Sequence, residues 1–93
     1  MEKKYLDQLR KLLQEHLDLR KTRAFLFGSV LRKKKFYDVD VGLTGKVEAK
    51  KIKALRDKLE ESNFPYKVDL VDFEKTEQSF RDHVLNEKVL WLN

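Results

Sequence analysis

The sequence predicts a small two-layer α+β domain with a mixed β-sheet and helices packed mainly on one face, in the order α-β-α-β-α-β-α. Three observations carry that expectation. Two segments place apolar residues at helical spacing, two others alternate apolar with polar residues at strand spacing, and a strand-helix-strand order calls for a right-handed crossover, hence a parallel strand pair. A chain of 93 residues makes one domain, spanning 1–93.

From residue 2 to about 19, apolar side chains recur at Tyr5, Leu6, Leu9, Leu12, Leu13 and Leu17, an amphipathic stripe with Asp7 and Lys11 paired outside it. Ala24-Phe25-Leu26-Phe27 is a short continuous apolar run ended by Gly28, and its length and aromatic content favour a buried strand. Ser29 is expected to cap a helical turn through Val30, Leu31 and Arg32. Residues 38–43 read as a second strand, closed by Thr44-Gly45 and antiparallel to the first because the connection is compact. Residues 47–62 carry Ile52, Leu55 and Leu59 on one side of a second surface helix, which ends at Asn63 before Pro65. Residues 66–71 alternate as a third strand. Thr76 or a neighbour opens a last helix with Phe80, Val84 and Leu85, and the apolar tail 89–92 closes as a strand or a docked segment.

Charged residues make up 40% of the chain and apolar ones 41%, which describes a folded, heavily charged globule rather than a disordered tail. No apolar run approaches a membrane span and the first residues lack the apolar stretch of a signal peptide, so a cytoplasmic location is expected. The absence of cysteine excludes disulfides and thiolate zinc sites, and His16 and His83 stand apart, so any metal must be held by oxygen. A net charge of +5 raises the possibility of nucleic-acid binding, but many of the lysines are scattered over helix faces, where they serve solubility.

The chemistry concentrates between residues 28 and 69. Alternation puts Asp38, Asp40 and Gly42 on one face of their strand and Val39, Val41 and Leu43 on the other. In the third strand, Lys67, Asp69 and Val71 share a face, so Asp69 joins the first two aspartates if the strands are neighbours; Asp72 has the opposite parity and is expected to cap the segment after the strand. Three carboxylates so placed repel one another and raise each other's pKa unless a cation sits among them. Magnesium suits them, since it takes hard oxygen ligands, few of them from protein, and completes its shell with waters and phosphates. Gly28 lets phosphates come close to the backbone, Ser29 offers a hydroxyl, and Arg32, Lys33, Lys34 and Lys35 supply cations of which one or two neutralise a triphosphate.

A strand ending in Gly-Ser, a short helix, a strand with Asp-x-Asp, a crossover helix and a strand bearing a third Asp resembles the minimal nucleotidyltransferases of the DNA polymerase beta superfamily. The likeness covers nearly the whole chain, down to "VDLVDF" and "NEKVLWL". It implies the nucleotidyltransferase fold, a nucleoside triphosphate (ATP first among them) and two Mg2+ ions, and transfer of a nucleoside monophosphate, AMP, to a hydroxyl. Carried over by position, Gly28, Ser29, Arg32 and Lys33 hold the triphosphate, Asp38 and Asp40 bind both metals, and Asp69 binds the catalytic metal and helps activate the acceptor. In this family the minimal domain is often paired with a helical HEPN protein as antitoxin and toxin, which implies a tyrosine of such a partner as acceptor. The connection from Val30 to Tyr37 is shorter and more basic than the family pattern, with Lys33 at a usual Gly position and Tyr37 where a Ser commonly precedes the first Asp.

Two other functions are weighed against this one. The same fold can bind and silence a partner without chemistry, or the basic surface can bind nucleic acid, the less favoured of the two. A homodimer is an alternative to the HEPN-type partner, and no membrane is expected. Blander roles are expected for the remaining candidates: Lys33–Lys35 as a solvated loop, Tyr37 packed on its neighbours, His16 at the helix boundary, His83 in solvent. Trp91 is equally a core residue or a partner anchor.

Overall fold

The computed structural model describes residues 1–93. Its elements are α1 (Lys3–His16), β1 (Thr22–Phe27), α2 (Ser29–Arg32), β2 (Asp38–Gly45), α3 (Ala49–Glu61), β3 (Lys67–Asp72), α4 (Gln78–Asn86) and β4 (Leu90–Trp91). The strands form one mixed sheet in the order β3-β2-β1-β4. As the crossover argument requires, β2 and β3 are parallel, while β1 runs antiparallel to β2 and to β4. No helix is long and apolar enough to cross a membrane.

The two faces of the sheet are covered differently. On one, Leu9, Leu12 and Leu13 of α1 and Ile52, Leu55 and Leu59 of α3 pack against Ala24, Leu26, Val39, Val41 and Leu43. Each fully buried Leu or Val there contributes about 1.5–3 kcal/mol of transfer free energy, so this layer fixes the fold. On the other face, Phe25, Phe27, Phe73 and Val84 make a smaller cluster beneath α4. Its rings meet edge-on, with Phe25 and Phe73 centroids 4.9 Å apart. Only Val84 of α4 is buried; Phe80 and Leu85, expected on its apolar face, are exposed.

Several local expectations are corrected. The first helix stops at His16 rather than near Leu19, because Leu17 is extended and Asp18 accepts both the amide and the guanidinium of Arg20 in a turn. Asp7 pairs with Arg10 at i,i+3, 3.7 Å away, and not with Lys11. Ser29 does not cap α2: Gly28 occupies the N-cap position and no side chain bonds the free amides. The tail is a fourth strand, two residues long, which the Asn93 side chain secures by accepting from the Ala24 amide at 2.8 Å and donating to the Thr22 carbonyl at 3.1 Å. Asp72 caps the turn after β3, accepting the Glu74 amide at 3.0 Å.

Candidate active site

The sheet's hydrogen-bond register assembles the site. Val39, Val41 and Leu43 are buried in the main core, which turns Asp38, Asp40 and Gly42 to the opposite face. In the parallel pair, Asp40 lies opposite Asp69 and Asp38 opposite Lys67. In the antiparallel pair, Phe27 lies opposite Asp40, so the chain turns at Gly28 directly beside that carboxylate. Gly28 has φ 81° and ψ −150°, and a Cβ built on it would stand 2.5 Å from Asp40 Oδ2. Glycine is required here twice over, for the backbone conformation and for the approach of the carboxylate.

Asp40 is only half-buried, yet its carboxyl is pushed above the usual aspartate range. Burial is the largest cause, followed by the negative charges of Asp69 and then Asp38, while Arg32 draws it back down. Burial and like charge thus act in the same direction on this one carboxylate. No group of three or more carboxylates or imidazoles is drawn close enough to hold an ion outright. The donors nevertheless fit magnesium: they are oxygen only, Asp40 and Asp69 are register partners, and the repulsion on Asp40 would be relieved by a divalent cation that takes one or two protein carboxylates and completes its shell from phosphate and water.

A cavity of about 210 Å3 opens beside Asp40 and brings together Gly28, Arg32 and Asp40 from the expected set. Its far wall comes from α4 and the residues after it: Phe80, His83, Glu87 and Lys88. Arg32 Nη1 donates to Glu87 Oε2 at 3.1 Å, and His83 Nε2 lies 3.4 Å from Glu87 Oε1. None of these wall residues stands out in the sequence as functional, although Phe80, His83 and Glu87 share one face of a helix by their i,i+3 and i,i+4 spacing. Their assignment needed the tertiary contact between α4 and the turn after β1. His83 is exposed, as expected, but at the rim of this cavity.

The other expected residues lie outside that cavity. Ser29 is the first residue of α2, and Lys33 is its C-cap, exposed, with its amide bonded to the Ser29 carbonyl. Asp38 is exposed at the start of β2. Asp69 also borders a second cavity of about 370 Å3 at the β3 edge, whose lining includes Arg56, Tyr66 and Lys67. Tyr37 is 86% exposed, so it does not pack on its neighbours as expected. Trp91 is 36% exposed, its ring tilted against Phe25 at 4.9 Å between centroids with the Arg23 guanidinium 4.0 Å over it, and so combines a core contact with an open face.

Residues 7–93 match a family model described as polymerase beta, nucleotidyltransferase. No curated protein matches the sequence. Among solved structures, the chain is similar to one in a complex of tri-AMPylated Shewanella oneidensis HEPN toxin with MNT antitoxin, with TM-score 0.74 and 21% identity over 100% of this chain and 72% of that one. It is similar also to a chain in a mutant of the toxin-antitoxin MntA-HpeT, with TM-score 0.74 and 19% identity over 95% and 71% of the two chains. A third likeness is to a toxin-antitoxin structure with AMP-PNP, with TM-score 0.72 and 21% identity over 95% and 72%. At these identities the structural likeness carries the fold.

Proposed function

Because the chain belongs to the polymerase beta nucleotidyltransferase family, we propose that it is a Mg2+-dependent nucleotidyltransferase that moves AMP from ATP to a hydroxyl on a partner protein, a tyrosine of a HEPN-type protein. The observation that carries this reading is Asp40, set against Asp69 by the register, raised in pKa first by burial and then by its acidic neighbours, and packed against the Gly28 turn. The AMPylated toxin and the AMP-PNP complex among the similar structures support ATP as donor and a protein as acceptor.

The chain's own residues divide the work. Asp38, Asp40 and Asp69 would hold the metal, which when bound neutralises phosphate charge and lowers the barrier to attack by a hydroxyl. Gly28 admits the triphosphate to the backbone, and Arg32, and on the proposal Ser29 and Lys33, bind its oxygens. Asp69, beside Asp40 in the register, orients the acceptor hydroxyl and accepts its proton. The new bond joins that oxygen to the α-phosphorus, and pyrophosphate leaves on the Arg32 side.

The test is a thermal melt with each of the four nucleoside triphosphates, with and without Mg2+. ATP with Mg2+ at 100 times its dissociation constant should stabilise the fold by about 2.7 kcal/mol. If no triphosphate moves the midpoint in the presence of Mg2+, the nucleotide reading fails. The exposed Lys33, Lys34, Lys35 and Tyr37 on the shortened connection favour a second reading, in which this surface binds and silences a partner without transfer. Partner modification that depends on Asp40 rules the second reading out.

A further inference from the structure

We propose that Glu87, the C-cap residue that follows α4, is a positioning residue for the nucleotide site: it holds Arg32 toward the triphosphate. The inference rests on the nucleotide reading above. Arg32 sits at the C-terminal end of α2, and the chain leaves it through three consecutive lysines that make no ion pair. Nothing within its own segment fixes its long side chain. Glu87 does so from the opposite wall of the cavity, 55 positions away in sequence, at 3.1 Å. The carboxylate's second oxygen lies 3.4 Å from His83 Nε2, one helical turn earlier, a contact that is an ion pair when the imidazole is protonated.

An acidic side chain on a phosphate-binding arginine can also act as a competitor, and the donor count decides between the two roles. Guanidinium carries five N–H donors. Glu87 takes one contact, at Nη1, so four donors remain for phosphate oxygens while the side chain is held. Part of the side chain's rotamer freedom is then lost before the nucleotide arrives, even with the two side chains 60% and 45% exposed. Arg32 also lowers the raised pKa of Asp40, which places its charge close to the carboxylate that would meet the metal.

The experiment measures ATP and AMP affinity by calorimetry in Mg2+ buffer for the wild type, Glu87→Gln, Glu87→Asp, Arg32→Gln and the Glu87→Gln, Arg32→Gln double variant. Glu87→Gln should weaken ATP binding about fivefold, the scale of one pre-ordered side chain, and leave AMP affinity unchanged because the arginine serves the phosphate tail. Glu87→Asp should recover part of the loss. In the Arg32→Gln background, Glu87→Gln should add nothing further. Tighter or unchanged ATP binding by Glu87→Gln overturns the proposal, as does an equal loss for AMP or an undiminished effect without Arg32. Failure of the wild type to bind any triphosphate would instead take down the nucleotide reading, and this inference with it.

Discussion

The two ends of β2 hold carboxylates in opposite electrostatic states. At the start of the strand, Asp40 is burdened by burial and by Asp69 and Asp38, and its carboxyl is pushed up. At the end, Glu74 from the loop after β3 accepts the Gly45 amide at 2.9 Å and the Thr44 hydroxyl at 3.0 Å, and these bonds pull its carboxyl down. One carboxylate is satisfied by the fold and the other is not. Structural carboxylates stabilise the native state in their charged form, whereas a group that the fold leaves repelled is a candidate for binding something from outside.

The sharpest way to break that comparison is Asp40→Asn. It removes the charge at the strained end while keeping the shape, so transfer should fall on the order of a thousandfold, the several kcal/mol that metal-held charge supplies. The stabilisation of the fold by ATP with Mg2+ should disappear in the same variant. Its unliganded melting temperature at neutral pH should nonetheless equal or exceed that of the wild type, since repulsion has been relieved. A variant that transfers AMP normally, assayed by the mass of the modified partner, would mean that Asp40 is merely a strained surface group.

Half of this contrast was legible in the sequence: the Asp40 end follows from local periodicity, whereas Glu74 reaches Thr44 and Gly45 only through a long-range contact. The stripes of α1 and α3 and the alternation of β2 and β3 have one reading each, and parity puts Asp69 on the face of Asp38 and Asp40 once the two strands are neighbours, as they are. Less legible were features that depend on a competing local interaction. Ser29 looks like a cap, but the positive φ of Gly28 moves the helix start, and Arg10 outcompetes Lys11 for Asp7 while also reaching the Leu92 carbonyl at 3.3 Å. The far wall of the cavity was not legible at all. Phe80, His83 and Glu87 meet Gly28 and Arg32 only because α4 folds back over the aromatic face of the sheet, a long-range contact with no local signature.

Glycine substitutions sharpen the comparison within the same face. Gly42→Ala drives a methyl into the ring of Phe25, which is fully buried against Phe73 and Trp91 and has no direction in which to move. Overpacking of that kind costs about 1–3 kcal/mol. Each kcal/mol lowers the midpoint of a domain this size by about 4–8 °C. Gly28→Ala meets the Asp40 carboxylate instead, a movable group, at a backbone conformation that costs about 1–3 kcal/mol for a residue with a Cβ. Gly42→Ala should therefore lose more stability than nucleotide affinity, and Gly28→Ala the reverse. Equal ratios of the two losses, from melts and calorimetry on both variants, would dissolve the distinction between the packed and the functional part of this face.

The smallest effect is the most diagnostic, because it has a sign. For Glu74 the folded state binds its proton less tightly than the unfolded chain, so its contribution is present above the ordinary glutamate range and fades as pH falls through its lowered value. For Asp40 the folded state holds the proton more tightly, so its burden is present at neutral pH and lifts as pH falls through its raised value. Glu74→Gln should thus lower the melting temperature slightly at neutral pH and converge on the wild type in acid. Asp40→Asn should match or exceed the wild type at neutral pH and also converge in acid. Subtracting the wild-type melting curve from each across pH 3 to 8 should leave two differences of opposite sign, and two of the same sign would show that the ends of β2 are electrostatically alike.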